Sequence, residues 1–306
     1  MTPSGLAPHD SALPPRGDEH GGRSEGSSSD EPGTPHAHDV PHQTTGHPLH
    51  TTYHRHHPVH TAGPVPDASV LTLDDPGPLL ATGGRADVFA LDEDYVLRRY
   101  RDGDDATREA AILQHVAAHG FPAPAVFLAH GPNLVMERLH GPTLLQALAA
   151  GEIAIPDAAQ VLVDLHARLH AVPAAPDAPQ DEAQWPHIAS GPVVVHLDLH
   201  PGNVVLTENR GPALVDWANA RAGTPELDAA LTALILAEVA VDAGGVYSQA
   251  ARALLAAFVV RDDVPVTAAL DTAAQVRRSD PALVSGEKEL VGAATELVRE
   301  LVRVSS

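Results

Sequence analysis

The chain has 306 residues, enough for one large domain or two lobes with a substantial core. Its formal charge of −21 argues against a nucleic-acid partner or an anionic membrane, because both require a basic protein surface. The chain has no cysteine, which excludes disulfides and thiolate chemistry, and Lys288 is its single lysine, so arginine supplies nearly every other positive charge.

Residues 1–67 are predicted to form a disordered tail. They are rich in Pro, Gly, Ser and His with almost no periodic apolar residues, so they cannot bury enough surface to offset their ordering entropy. The tail holds 11 of the 20 histidines; a metal-binding tail is one hypothesis, and a biased low-complexity extension is the favoured interpretation. The sequence predicts neither a secretory signal nor a membrane span, and we expect a cytoplasmic protein.

Residues 68–137 are predicted to form a small nucleotide-binding lobe. Short apolar and β-branched runs predict strands at Val70–Leu73, Phe89–Leu91, Tyr95–Tyr100, Val126–Leu128 and Leu134–Met136. The pair Gly83 and Gly84 predicts a turn, and Asp105 is expected to cap a helix that ends near Gly120. The pattern predicts an antiparallel sheet with one helix.

Residues 138–306 have helical periodicity for most of their length. Helices are predicted at Thr143–Ala150, at Pro156–Val172 and from Pro225 onward, with a strand-turn-strand segment before the last of these. The predicted fold is therefore α+β with two lobes: a small antiparallel-sheet N-lobe with one helix, and a larger, mainly helical C-lobe. The cleft is expected where residues 136–139 join the lobes.

The segments HLDLHPGNVVL and ALVDWANA contain the main candidate site. Asp198, Asn203 and Asp216 each lie beside a short apolar run that is long enough for one buried strand. Two carboxylates and an amide suit Mg²⁺ with a nucleotide triphosphate. The spacing from Asp to Asn is that of the protein-kinase catalytic loop, and a later Asp after a strand is the usual metal ligand. We expect Asp198 to orient or deprotonate a hydroxyl group, and Asn203 and Asp216 to bind magnesium.

Other residues are candidates for binding the phosphates of the nucleotide. Gly83 and Gly84 would let backbone amides approach phosphate groups. Arg98, on the strand YVLRRY, is expected to pair with Glu109 on the next helix and to bind the α- and β-phosphates. Arg99 is the alternative, because neighbouring strand residues face opposite sides of a sheet and the pattern does not decide between them.

A transition-metal site is a less favoured interpretation of the same segment. His196, Asp198 and His200 have period-two spacing, but the strand stops directly after them, so they need not share a face. His166 and His170 lie four residues apart on a predicted helix and are interpreted as packing residues.

Taken together, HLDLHPGN, the DW of VDWANA and the LDAA segment at 227–230 resemble the aminoglycoside phosphotransferase and choline kinase family of the protein-kinase-like superfamily. The resemblance includes VLRRY, REAAIL and LVMERLHGPTL and runs from about residue 78 to the last helix. It implies that Asp198 is the catalytic aspartate, that Asn203 and Asp216 bind magnesium, and that His196 braces the loop.

The resemblance also implies that Glu109 is the helix glutamate, that backbone groups near Glu137 and Leu139 hold adenine, and that Asp228 is a structural acid. The sequence departs from the family at three places. Leu197 stands where glycine is usual, arginine replaces the strand lysine, and tryptophan follows the metal-binding aspartate.

The predicted function is that of an ATP- and magnesium-dependent phosphotransferase that moves the γ-phosphate to a hydroxyl of a small molecule. Residues 141–306 hold 21 acids and 10 bases, which favours a cationic acceptor such as an aminoglycoside. The arginine-for-lysine exchange and Leu197 motivate the alternative, a nucleotide-binding pseudokinase that regulates a partner. The sequence leaves the choice between ATP and GTP open.

Overall fold

The structure is a computed structural model. It describes residues 73, 75–101, 103–175, 188–242, 246–261, 263–280, 283 and 285–305. The predicted tail lies outside the described residues.

The N-terminal lobe contains a five-stranded antiparallel sheet in the order β1-β2-β3-β5-β4. Its strands are β1 Leu79–Thr82, β2 Ala86–Ala90, β3 Tyr95–Tyr100, β4 Val126–His130 and β5 Asn133–Glu137. The central strand β3 has buried residues on both faces, and Arg98 and Tyr100 on one face contact Glu109 of the helix of this lobe. The predicted antiparallel sheet is confirmed.

Helix α1, Thr107–Ala118, is the one helix inserted in this sheet. The helix N-cap is Ala106, which makes no side-chain cap hydrogen bond, so the predicted position of the cap was one residue too early. The side chain of Asp105 still accepts a hydrogen bond of 2.9 Å from the amide of Thr107, the first residue of the helix. The helix ends before Gly120, whose φ of 77° is a left-handed conformation that glycine adopts without steric cost. Apolar residues of the helix, Ile112, Leu113 and Val116, are buried with Glu109.

The C-terminal lobe is mainly helical. Its helices are α2 Leu144–Ala150, α3 Ile155–His170, α4 Pro225–Val241, α5 Val246–Arg261, α6 Leu270–Ser279 and α7 Ser285–Ser305. Two small antiparallel pairs lie between α3 and α4: β6 Val193–Val195 with β9 Arg221–Gly223, and β7 Val204–Thr207 with β8 Gly211–Leu214. None of the described helices is long and apolar enough to cross a bilayer.

Helix α4 is the central element of the helical lobe. Every residue from Leu227 to Glu238 is buried, and the helix contacts α3, α5, α6 and α7. It is apolar on all sides, as expected of a helix surrounded by protein. Two polar residues in this run, Asp228 and Thr232, are fully buried and therefore require hydrogen-bond partners.

Three details of the strand prediction were wrong. Leu73 lies in a turn, and the rest of the strand predicted at Val70–Leu73 lies outside the described residues. The strand predicted at Phe89–Leu91 is centred earlier, at Ala86–Ala90. The first strand was not predicted because its LLAT sequence is short, lies at the sheet edge and is exposed throughout, so it has no alternation to detect.

Candidate active site

Asp198 and Asn203 lie together on the loop between β6 and β7. A single 3-10 turn, Pro201–Asn203, ends this loop, and β7 begins at the next residue. The side-chain amide nitrogen of Asn203 donates two hydrogen bonds to Asp198. One goes to the backbone oxygen of Asp198 at 2.9 Å and the other to the Asp198 carboxylate at 3.2 Å. The short turn between two strands therefore brings the two predicted side chains into contact.

The carboxyl group of Asp198 lies in an environment that disfavours its charge. Burial and the nearby carboxylate of Asp216 raise the pKa of Asp198 to about 7, against the opposing effects of Arg277 and Asn203. The side chain of Asp198 is 27% exposed, and Nε2 of His200 lies 3.8 Å from its carboxylate oxygen. The carboxylate is thus partly accessible, and a pKa in this range would suit a group that accepts a proton near neutral pH.

Asp216 lies two residues after β8 and joins the site from the next hairpin. Its φ of 63° is left-handed, an uncommon conformation outside glycine that often marks a functional position. Burial opposes the charge of its carboxylate, but the Arg98 guanidinium outweighs it and lowers the pKa of Asp216 below its ordinary value. Asp216 is therefore charged at neutral pH.

Arg98, not Arg99, is the strand cation of this site. The guanidinium of Arg98 lies 3.1 Å from the carboxylate of Glu109 and 2.6 Å from that of Asp216. Burial opposes its charge, yet these acids raise the pKa of Arg98. Arg99 instead donates to Asn133 at 2.8 Å and to the backbone oxygen of Leu73. The period-two geometry of β3 directs the two arginines to different partners.

Glu109 connects the strand cation to the segment that carries Asp216. Its carboxylate accepts hydrogen bonds from the hydroxyl of Tyr100 at 2.5 Å and from the backbone N–H of Trp217 at 3.2 Å. Burial raises the pKa of Glu109, although Arg98 acts in the opposite direction. Tyr100 and the amide of Trp217 were not singled out from the sequence; the position of Tyr100 two residues after Arg98, on the same strand face, was the available signal.

His196 links the loop that carries Asp198 to the segment that carries Asp216, and its predicted bracing role stays a prediction. Its Nε2 lies 3.2 Å from the backbone oxygen of Val215, the residue before Asp216. Burial lowers the pKa of His196, so the ring is neutral, and Nε2 donates to the carbonyl oxygen. The next residue, Leu197, has a φ of 65°. This explains why glycine is usual there, since a left-handed residue with a side chain costs about 1 kcal/mol.

Gly83 and Gly84 were predicted to bind phosphate groups through their backbone amides. Gly83 and Gly84 form the turn between β1 and β2, where the amide of Gly83 donates to Ala86 at 2.9 Å. Because Ala86 pairs with Tyr100, this turn lies two residues beyond Arg98 along the sheet. A role in phosphate binding stays a prediction.

Glu137 and Leu139 lie where the sheet joins the helical lobe. The N–H of Glu137 already donates to Ala125 at 2.8 Å, and its carboxylate accepts from Arg210 at 2.6 Å. Both Glu137 and Leu139 line a cavity of about 160 Å³ with the neighbouring turn at 207–210, so only the occupied N–H of Glu137 separates them. Of these two predicted residues, Leu139 is therefore the better candidate to offer an N–H to adenine, and this assignment stays a prediction.

Arg277 is a cation near Asp198 that was not predicted from the sequence. Arg277 on α6 holds Glu238 of α4 through two contacts, 3.1 Å and 2.6 Å long, and lies 3.5 Å from Asp280. Arg277 interacts electrostatically with Asp198 and lowers its pKa. Arg277 is distant from Asp198 in sequence, so only the fold reveals that the two side chains interact.

The donor set fits magnesium. Asn203 contributes an amide oxygen and Asp216 a charged carboxylate, and oxygen ligands of this kind are those that Mg²⁺ prefers. The amide nitrogen of Asn203 is directed to Asp198, which leaves its oxygen on the other side of the amide group for a ligand. The side chain of Asp216 is 33% exposed, so its carboxylate is accessible.

Comparison with protein families gives one match over most of the described chain. The family profile APH, described as the phosphotransferase enzyme family, matches residues 78–186 and 180–258. No curated protein sequence matches the chain.

Comparison with solved structures finds aminoglycoside phosphotransferases. A thermostable mutant of APH(4)-Ia in its apo form has 17% identity, a TM-score of 0.47, and coverage of 77% of this chain and 97% of its own. ADP-bound APH(2'')-Ib has 16% identity and a TM-score of 0.41, and the match covers 73% of this chain and 93% of the APH(2'')-Ib chain. APH(2'')-IIa in complex with gentamicin has 15% identity, a TM-score of 0.41, and coverage of 74% and 88%.

Proposed function

Since the chain belongs to the phosphotransferase enzyme family, we propose that it transfers the γ-phosphate of ATP to a hydroxyl group of a small molecule. The observation that carries this proposal is the convergence of three groups in one site. Asp198 contacts Asn203 on one loop, and Asp216 comes from the next hairpin with its charge held by Arg98.

In the proposed reaction, the acceptor oxygen forms a bond to the γ-phosphorus as the bond to the leaving ADP oxygen breaks. The proton of the acceptor hydroxyl passes to the carboxylate of Asp198. Phosphoryl transfer has a loose transition state, so the main contribution of Asp198 is to orient the hydroxyl. The loop contacts of Asn203 and His196 support this function, because they fix the backbone on both sides of Asp198.

Asn203 and Asp216 are the residues that would hold magnesium. When bound, the ion supplies positive charge to the β- and γ-phosphate oxygens. Arg98 would hold the phosphates from the opposite lobe, and its ion pair with Glu109 keeps the guanidinium oriented toward the site. Arginine offers a forked, permanently charged donor where the resembling family uses lysine, so its phosphate contacts would differ in geometry.

A cationic acceptor such as an aminoglycoside is the proposed substrate class. Support comes from charge: residues 141–306 hold 21 acids and 10 bases. Arg277, the cation near Asp198, is paired with Glu238 and Asp280, so it does not make this part of the lobe basic. An acidic site raises the local concentration of cationic ligands by electrostatic attraction.

The test is ADP release with ATP and Mg²⁺ in the presence of a panel of aminoglycosides, macrolides, choline-like alcohols and sugars. The proposal predicts acceptor-dependent ADP release with at least one cationic member of the panel. If only neutral acceptors are phosphorylated, the proposed substrate class is wrong while the reaction stands. If no acceptor raises ADP release above background, the reaction itself is wrong.

The pseudokinase alternative rests on the hydrogen bond from Arg98 to a carboxylate oxygen of Asp216. Asp216 is a proposed metal ligand, so this hydrogen bond competes with magnesium for that oxygen. Membership in an enzyme family weighs against it. It predicts that ATP stabilises the protein against heat equally with and without Mg²⁺, and without ADP release. Stabilisation that requires Mg²⁺ would eliminate it.

A further inference from the structure

A buried polar cluster lies between α3, α4 and the catalytic loop. It consists of His166 and His170 on α3, and Asp228 and Thr232 on α4. Each pair is four residues apart, so its two members lie on the same helix face. His166, Asp228 and Thr232 are at most 1% exposed. Polar groups at this depth are costly unless hydrogen-bonded, so their partners reveal what the cluster does.

The two α4 residues bind the loop backbone on both sides of Asp198. The carboxylate of Asp228 accepts from the amide of Leu197 at 2.7 Å and from that of His196 at 3.2 Å. The hydroxyl of Thr232 donates to the backbone oxygen of Leu199 at 2.7 Å. The loop is therefore held immediately before Asp198 by one helix residue and immediately after it by another.

The two histidines of α3 contact the α4 side chains that bind the loop. Nε2 of His170 lies 3.0 Å from the carboxylate of Asp228, and Nε2 of His166 lies 3.0 Å from the hydroxyl of Thr232. The single hydroxyl proton of Thr232 is used on Leu199, so Nε2 of His166 must be the donor in its contact with Thr232. His166 thereby fixes the direction in which the Thr232 hydroxyl points.

The same cluster offers potential metal ligands, with nitrogen and oxygen atoms of His166, His170 and Asp228 within 4.8 Å of one another. Each histidine Nε2 is, however, at hydrogen-bond distance from a protein oxygen. The carboxylate of Asp228 is also engaged by two loop amides. The contacts therefore describe a hydrogen-bond network.

We propose that Thr232, oriented by His166, is a positioning residue that holds the Leu199 carbonyl and thereby places Asp198 against the acceptor hydroxyl. This inference rests on the proposed phosphotransferase function. The loop needs such support because Leu197 is held at a φ of 65°, which a leucine adopts only when its surroundings compensate the cost. Asp228 anchors the loop before Asp198, and the arm formed by Thr232 and His166 anchors it after.

The experiment compares Thr232→Val with a matched control, Thr295→Val, in the full chain. Thr295 is also a buried threonine of the helical lobe, 4% exposed, and its hydroxyl donates to the backbone oxygen of Val291 in its own helix at 2.6 Å. Both substitutions remove one buried hydroxyl with little change in shape. Two quantities are measured: kcat and KM for ATP, and hydrogen–deuterium exchange of the loop amides from 196 to 203.

We expect Thr232→Val to lower kcat by about tenfold, because a displaced loop misplaces Asp198, with KM for ATP within about twofold of its original value. Loop amides should exchange faster in Thr232→Val and at the original rate in Thr295→Val, whose kcat should be unchanged. Thr232→Ser keeps the hydroxyl and should restore both kcat and the exchange pattern.

Equal loop exchange in the two valine variants would overturn the inference, and so would equal kcat values. A serine variant that behaves like the valine variant would also overturn it, because the hydroxyl would then not be responsible. If the original protein releases no ADP with any acceptor, the proposed function fails, and the exchange comparison alone decides whether Thr232 holds the loop.

Discussion

The guanidinium of Arg98 donates a 2.6 Å hydrogen bond to the carboxylate of Asp216, which lies 118 residues further along the chain. This contact joins the central strand of the sheet to the loop that carries a proposed metal ligand. The same guanidinium lies 3.1 Å from Glu109, so one side chain links strand, helix and catalytic segment.

Replacing Arg98 by methionine should lower kcat/KM for ATP by about tenfold to 100-fold, since a hydrogen bond between charged groups contributes about 1.5–3 kcal/mol. It should also lower the free energy of unfolding by about 3 kcal/mol, because the carboxylate of Glu109 would remain buried without its cation. Steady-state kinetics and urea unfolding measure the two effects.

Arg99→Met is the control for this prediction, because Arg99 is the next residue on the same strand and contacts Asn133 instead. It should change kcat/KM by less than about threefold, since neither partner of Arg99, Asn133 or the backbone oxygen of Leu73, belongs to the candidate site. An equal loss in the two variants would show that the identity of the strand cation is wrong.

Leu197 provides a test of backbone strain in the catalytic loop. Its φ of 65° costs any residue with a Cβ about 1 kcal/mol that glycine does not incur. Leu197→Gly should therefore unfold with a free energy about 1 kcal/mol higher than Leu197→Ala, the reverse of the usual order. Both variants should be less stable than the original protein, because the leucine side chain is buried.

The same pair of substitutions at Leu199 is the matched comparison. Leu199 is also buried, at 0% exposure, and does not have a positive φ. There, alanine should be the more stable replacement. If alanine were also the more stable replacement at position 197, the proposed backbone strain at Leu197 would be contradicted.

His166 should make stability depend on pH. Burial lowers its pKa from 6.5 to about 4 in the folded protein. The unfolded chain therefore binds a proton at His166 first as the pH falls. The contribution of the neutral ring is fully present above pH 6.5 and is lost progressively toward pH 4, at up to about 1.4 kcal/mol per pH unit.

His166→Gln removes this titrating group and keeps an N–H donor for Thr232. Urea unfolding from pH 7.5 to 4.5 should give a shallower decline for this variant, with parallel curves above pH 7. The remaining decline comes from other groups, including His200, whose pKa burial lowers to about 4. Identical slopes in the two proteins across the acidic range would contradict a neutral, buried His166.

Local patterns in the sequence were sufficient to predict much of the fold. The strand Tyr95–Tyr100 was predicted at its observed bounds, and the helix predicted between Asp105 and Gly120 was also confirmed. These features depend on side-chain alternation and on residues adjacent in the chain. The strand β9 was missed, because three residues paired only with distant Val193–Val195 carry no pattern of their own.

The candidate site was predictable where its residues share a motif, and not where it depends on long-range contacts. Asp198 and Asn203 are five residues apart, so the loop brings them together. The choice between Arg98 and Arg99 needed the positions of partners from other elements. His166 was interpreted as a packing residue, and its contact with Thr232 could not be predicted because the two are 66 residues apart.

The measurement that tests the central claim most directly is acceptor-dependent ADP release by Asp198→Asn, with Mg²⁺ and ATP. Asn keeps the size of the side chain but cannot accept the hydroxyl proton, so kcat should fall by about 100-fold or more while KM for ATP changes little. Asp164→Asn, at an exposed position on α3, should leave kcat unchanged. An Asp198→Asn variant that is correctly folded and retains the original kcat would contradict the account.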